Sequence, residues 1–72
     1  MDDFRLYLKS TVKHKRKNGA LIELNEFGIL ALIPGDKLGD EHKNLRSGDS
    51  IWVNLYEVDP IMGKIFAEPE DE

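Results

Sequence analysis

Gly48-Asp49-Ser50-Ile51-Trp52-Val53-Asn54-Leu55-Tyr56-Glu57-Val58-Asp59, followed by Gly63-Lys64-Ile65-Phe66-Ala67, is the stretch that decides the fold. Ile51, Val53 and Leu55 alternate with Trp52 and Asn54, the period-two pattern of a strand with one buried face. A slip of one residue would bury Trp52 and Asn54 and expose three aliphatic side chains. Trp52 is therefore expected to point outward. Ser47-Gly48-Asp49 opens this strand with turn chemistry, Asp59-Pro60 closes it, and Gly63 starts a return strand. An antiparallel hairpin over 49–58 and 63–67 follows.

The rest of the chain repeats the pattern. Phe4-Arg5-Leu6-Tyr7-Leu8-Lys9 alternates, continuing through Ser10 to Val12, and Ala20, Ile22 and Leu24 alternate with Leu21 and Glu23. Turn residues stand at Asn18-Gly19, Asn25-Glu26-Phe27-Gly28 and Pro34-Gly35-Asp36. These signals predict strands at 4–14, 19–25 and 28–33. Residues 36–47 have spaced apolar side chains only at Leu38 and Leu45, and contain Gly39, so a turn or two of 3₁₀ or α helix is expected there. Five strands with a short helical link between the third and fourth predict an all-β, five-stranded OB-fold (oligonucleotide-binding) barrel. An SH3-like barrel usually lacks that link. The expected inward positions are Val12, Ala20, Ile22, Leu24, Leu32, Ile51, Val53, Leu55, Val58, Ile65 and Ala67.

At 72 residues and 40% apolar, the chain is one domain, burying only about 60% of the surface its unfolded form exposes. That excludes a TIM barrel, a Rossmann domain or a two-domain enzyme. With no cysteine, disulfide scaffolds and thiolate metal sites are excluded, and a reducing cytosol is suited. The longest near-apolar run, Ile29 to Pro34, is six residues, against roughly 20 for a membrane span. Met1-Asp2-Asp3 lacks the layout of a secretory signal. A soluble cytoplasmic domain without membrane contact is expected. His14 and His42 lie far apart with no spaced carboxylate cluster, so no metal and no cofactor are expected. No nucleophile motif, P-loop or dinucleotide fingerprint occurs, which argues against an enzyme.

Charge is unevenly distributed. Residues 1–20 carry +4 and residues 21–72 carry −8, giving the net −4. The positive charge is concentrated in Lys13-His14-Lys15-Arg16-Lys17, expected as a basic loop between the first and second strands and suited to phosphate by counterion release; a solvated loop without a partner is the alternative. Glu68-Pro69-Glu70-Asp71-Glu72 has no apolar residue, so the domain is expected to occupy 1–67 and an acidic disordered tail 68–72.

Three stretches together resemble a known family. Ser10-Thr11-Val12 followed by Asn18-Gly19-Ala20-Leu21-Ile22-Glu23-Leu24 is similar to G-x-V followed by F-G-A-F-V-E-L. Ala31-Leu32-Ile33-Pro34-Gly35-Asp36-Lys37-Leu38 is similar to G-L-I-P/H-x-S-E-L. The stretch from Gly48 to Asp59, with Gly63-Lys64-Ile65, resembles G-D-x-V-x-V-x-V-x-x-V-D…G-R-I. This is the layout of the S-one domain, the RNA-binding OB repeat named after ribosomal small-subunit protein one, with order and spacing kept over about residues 8–67. The bacterial translation initiation factor one family is related in layout and shares the landmarks seen here at Ile33-Pro34-Gly35 and Gly48-Asp49.

The resemblance implies a noncatalytic module binding single-stranded RNA or ribosomal RNA, in translation or RNA metabolism. Lys13, Lys15, Arg16 and Lys17, with His14 among them and Lys64 beyond, would hold phosphates, and Asn18, Leu21 and Pro34 would lie near the bases. Those last three stand where the family places its stacking aromatics and histidine. Stacking is worth about 1–3 kcal/mol per base, so a salt-dependent phosphate reader with weak base selection is expected. The alternative is a protein-interaction module using the outward aromatics Tyr7, Trp52 and Phe66. Cover by the chain's own link or tail, or an extra base platform, are further readings of those aromatics. Phe27, at a hairpin tip, either anchors its turn or substitutes for a lost stacking group.

Overall fold

The computed structural model describes residues 7–70. Its strands are β1 (Tyr7–Arg16), β2 (Gly19–Leu24), β3 (Ile29–Pro34), β4 (Ser50–Asp59) and β5 (Lys64–Pro69). Two 3₁₀ turns, Gly35–Lys37 and Asp40–His42, join β3 to β4. The strands close into a barrel in the order β1-β2-β3-β5-β4, with β3 and β5 parallel and the other pairs antiparallel. This is the OB-like architecture expected from the strand pattern. Residues 4–6 of the expected first strand lie outside the described residues.

Two long strands make closure work, each pairing on both sides. β1 pairs β4 through Tyr7–Thr11 and β2 through Ser10–Arg16. β4 pairs β1 through Ser50–Asn54 and β5 through Val53–Asp59. Each has an irregularity in register, at Lys13 in β1 and at Tyr56 in β4. An extra residue of this kind bends a strand and raises its twist, which carries it from one neighbour to the next.

The core holds Leu8, Val12, Ala20, Ile22, Leu24, Ala31, Ile33, Ile51, Val53 and Ala67. Across β2 and β3 large faces small: Ile22 lies opposite Ala31 and Ile33 opposite Ala20. Such interdigitation fills a narrow barrel, and burying each large aliphatic side chain is worth about 1.5–3 kcal/mol. Leu38 and Leu45 from the link pack against this core together with Leu55 and Ile65.

Two expected inward positions differ. In β3 the buried residues are Ala31 and Ile33, not Leu32, which is half-buried on the outer face. The run Ile29-Leu30-Ala31-Leu32-Ile33 is apolar throughout, so alternation could not set its phase. Val58 lies opposite Ile65 where β4 pairs only with β5 among the described strands, and it is exposed. Ser10 shares the inward phase of Val12 and is fully buried, and its Oγ donates to the Ile51 carbonyl at 2.9 Å. That bond satisfies the hydroxyl and ties β1 to β4.

The acidic end is partly structured. Glu68 and Pro69 belong to β5, and the Glu70 N–H donates to the Trp52 carbonyl at 2.9 Å. Residues 68–70 of the expected tail are thus held to the barrel, and Asp71 and Glu72 lie outside the described residues.

Candidate nucleic-acid interface

In an antiparallel pair, residues directly opposite each other share a face. Before the β1 irregularity, inward Val12 lies opposite inward Ile22; after it, His14 lies opposite Leu21 and Arg16 opposite Gly19. The outer face thus receives His14 and Arg16. Lys15 lies opposite buried Ala20 and is half-buried toward the barrel end. β1 runs through Arg16, so the β1–β2 turn is only Lys17 and Asn18. Most of the basic run is strand rather than loop.

The segment ahead of β4 fixes this irregularity. Ser47 Oγ donates to the Lys13 carbonyl at 2.7 Å, the Gly48 N–H donates to the Val12 carbonyl at 2.7 Å, and the Val12 N–H donates to the Asp49 carbonyl at 2.8 Å. Asp49 closes its own turn: its Oδ2 accepts the Arg46 N–H, and its N–H donates to the Arg46 carbonyl, both at 3.0 Å. Gly48 and Asp49 thus hold the Val12 backbone and Ser47 the Lys13 carbonyl, on either side of the point where the register shifts ahead of His14 and Arg16.

One transverse row crosses the outer face: His14 on β1, Leu21 on β2, Leu32 on β3 and Phe66 on β5. A recess of about 400 Å³ opens beside the β1–β2 turn, bordered by His14, Arg16, Asn18, Leu21 and Leu32. A second, of about 160 Å³, shares Leu21 and Leu32 and is bordered by Leu30, Gly63 and Lys64. Together they form one groove from the β1–β2 turn to the β4–β5 loop. Its floor is aliphatic, and cationic side chains stand at both ends.

Two of the cations are ion-paired. Lys13 Nζ is 3.3 Å from Glu23 Oε1, and Lys37 Nζ is 3.6 Å from Glu68 Oε1. Arg16, Lys17 and Lys64 have no carboxylate partner among the described residues. Of the residues expected at the site, His14, Arg16, Asn18, Leu21 and Lys64 line the groove. Lys17 lies in the turn at its rim. Pro34 lies opposite Gly19 at the end of β3. Lys13 faces Glu23, and Lys15 turns away. Leu30 and Leu32, part of the groove floor, were absent from the expected set because their unbroken apolar run reads as core.

The outward aromatics separate into two places. Trp52 is 48% exposed and Tyr7 51%. They lie diagonally across β1 and β4, with Lys9 opposite Trp52, and border a recess of about 460 Å³ walled by Asn25 and Glu26. Phe66 is not with them. It lies opposite Glu57, and its half-buried ring sits 6.4 Å from the Tyr56 ring, centroid to centroid. Lys37 Nζ sits 4.8 Å above the Tyr56 ring. Desolvation raises the Tyr56 hydroxyl pKa above its ordinary value, with Lys37 acting in the opposite direction. Phe27 is exposed.

Among the described residues no group of three or more His, Cys, Asp or Glu side chains is placed to hold a metal ion, and no helix is long and apolar enough to cross a membrane.

No protein-family model matches the sequence, and neither does any curated protein sequence. Solved structures do match. The chain aligns over 97% of its length with a chain of the a/eIF2α–aDim2p–rRNA complex from Pyrococcus horikoshii, at a TM-score of 0.79 and 22% identity. It spans 45% of the length of that chain. It also aligns over 97% of its length with the uncharacterized protein MJ1198 from Methanocaldococcus jannaschii, at a TM-score of 0.75 and 29% identity, covering 96% of that protein. These similarities extend over the whole barrel.

Proposed function

We propose that this domain is a noncatalytic, S-one-like RNA-binding module that takes single-stranded RNA along the β2–β3 face, in cytoplasmic translation or RNA metabolism. The observation that carries this reading is the groove: an aliphatic floor between Arg16 and Lys17 at one end and Lys64 at the other, all three without carboxylate partners among the described residues. An OB barrel binds oligonucleotides on this face and through the adjoining loops. A similar chain in a complex that contains rRNA supports the assignment.

The cations hold phosphates, while bases lie over Leu21 and Leu32. His14 and Arg16 present flat groups at the groove wall, and imidazole and guanidinium planes both stack on unpaired bases. Asn18 offers an amide donor and acceptor to a base edge. An amide chemical-shift titration with a short single-stranded RNA, at low and moderate salt, tests the assignment. Shifts confined to the end of β1, to β2 and β3 and to the two loops, weakening with salt, are expected; salt-independent shifts elsewhere would refute it.

Leu21 lies in the middle of the row, where an aromatic ring would stack on a base. Leu21→Phe should tighten single-strand binding by about 1–3 kcal/mol, measured by fluorescence anisotropy. No gain in a variant that still folds would mean that bases do not reach Leu21.

A second reading rests on Trp52 and Tyr7, half-exposed side by side away from the groove. Tryptophan combines a large apolar body with one N–H donor, the profile of an interface anchor. Trp52 is the single tryptophan, so its emission reports this surface alone. It should be red-shifted and readily quenched by acrylamide in the free domain, and unaltered by RNA held in the groove. A blue, unquenchable emission would remove the surface, and protection by RNA would transfer it to the nucleic-acid site.

A further inference from the structure

The β4–β5 loop displays the most exposed large apolar side chain of the described domain, Ile61 at 92%, beside Met62 at 63%. A free tip would be expected to be polar or mobile, and this one is braced. Asp59 Oδ1 accepts the N–H groups of both Ile61 and Met62, at 3.1 and 3.2 Å, in an Asx-type turn. Gly63 then reverses the chain at φ +69°. The fold thus holds Pro60-Ile61-Met62 in a defined shape in front of solvent. The loop base, Gly63 and Lys64, borders the same recess as Leu30. The apolar tip therefore stands at the end of the RNA groove, next to a lysine without a carboxylate partner among the described residues.

The groove floor itself offers bases leucines in place of aromatic rings. Nucleic-acid-binding proteins also engage bases with aliphatic wedges, and Ile, Met and Pro are among the side chains that enter and unstack a base step. Apolar side chains likewise sandwich bases drawn out of a stack. The geometry points to Ile61, flanked by Met62, as such a wedge: it enters between two successive bases of the bound strand while Lys64 holds an adjacent phosphate. This inference rests on the RNA reading above and assigns the loop tip a role of its own. Charge favours RNA over a protein as the occupant. The carboxylate of Asp59 faces its own backbone N–H groups, and the neighbouring Lys64 has no carboxylate partner among the described residues.

The test uses a short adenine-rich single-stranded RNA carrying 2-aminopurine at successive positions, because this base brightens when its neighbours unstack. The intact domain should raise fluorescence severalfold at one or two adjacent positions only. Ile61→Ser should abolish the rise and weaken binding about tenfold, near the low end for one stacked base, while keeping the salt dependence set by Arg16, Lys17 and Lys64. Asp59→Ala, which keeps Ile61 but frees the tip, should give a smaller rise. Unchanged amide shifts in β1–β3 would confirm that both variants fold. RNA bound with a normal salt slope but no rise, or a rise that Ile61→Ser leaves intact, would overturn the wedge and leave the RNA reading standing. Failure of the intact domain to bind the RNA would overturn both.

Discussion

Changing Arg16, Lys17 and Lys64 together to Gln is expected to lower single-stranded RNA affinity about 500-fold at about 50 mM salt. The figure follows from counterion release, which gives a slope of about 0.7 per phosphate contact on a single strand, or about 2.1 for three contacts. Between about 50 mM and 1 M, an approximately twentyfold change in salt, that slope corresponds to about 500-fold in affinity, all of which the triple variant should lose. The intact domain should weaken about 20-fold between about 50 and 200 mM, and the variant hardly at all. Lys15→Gln is the internal control. Lys15 lies opposite buried Ala20 and turns from the groove, so its removal should leave the slope unchanged. A triple variant that keeps the steep slope would place the phosphate contacts on another face, and equal losses for Lys15 and Arg16 would mean that the strand irregularity does not sort the basic run.

That sorting marks the boundary between what residue patterns disclose and what they do not. Alternation along Ile51, Val53 and Leu55 specified the β4 face because each slip would exchange aliphatics for Trp52 and Asn54, and Trp52 is indeed half-exposed. Ala20, Ile22 and Leu24 were equally legible, since Glu23 and the turn before them fix their phase. Ile29 to Ile33 was not, because an unbroken apolar run carries no phase. There the partner strand decides, setting Ala31 against Ile22 and Ile33 against Ala20. The irregularities at Lys13 and Tyr56 leave no mark in the local pattern, since one extra residue has no composition of its own. One sends His14 and Arg16 to the groove, and the other leads into the register that separates Phe66 from Trp52. A signal for the first did exist. Ser47, Gly48 and Asp49 form a turn-rich triplet whose hydrogen bonds end on Val12 and Lys13, but only the fold shows which backbone receives them. The charge of the site was visible in the basic run; its direction depends on contacts over 30 residues away in sequence.

Gly19→Ala is expected to cost about 3 kcal/mol, at the upper end of ordinary single substitutions. For a chain this short, total stability is about 4–11 kcal/mol at ordinary values per residue, so the loss is a large fraction. Two effects combine. Gly19 has φ +147°, a backbone conformation that side-chain-bearing residues rarely adopt. A Cβ there would lie 2.5 Å from the Ile33 carbonyl oxygen, a backbone atom fixed by β2–β3 pairing. Nor can the neighbourhood relax freely, because the Gly35 N–H donates to the Asn18 carbonyl at 3.0 Å, locking the β1–β2 turn to the end of β3. Gly48→Ala separates the two effects: its φ is +97°, but nothing lies within 4 Å of the added Cβ. It should cost only the conformational term, about 1–2 kcal/mol. Urea unfolding of both variants, followed by far-ultraviolet circular dichroism, measures the difference. Equal losses would mean that the close approach to Ile33 is relieved by a small backbone shift. A larger loss at Gly19 carries a functional consequence, because Gly19 lies opposite both Arg16 and Pro34. Opening β2 from β3 there would displace Asn18 and Arg16 from the groove wall. At temperatures where the Gly19 variant remains folded, it should therefore bind RNA more weakly than the Gly48 variant.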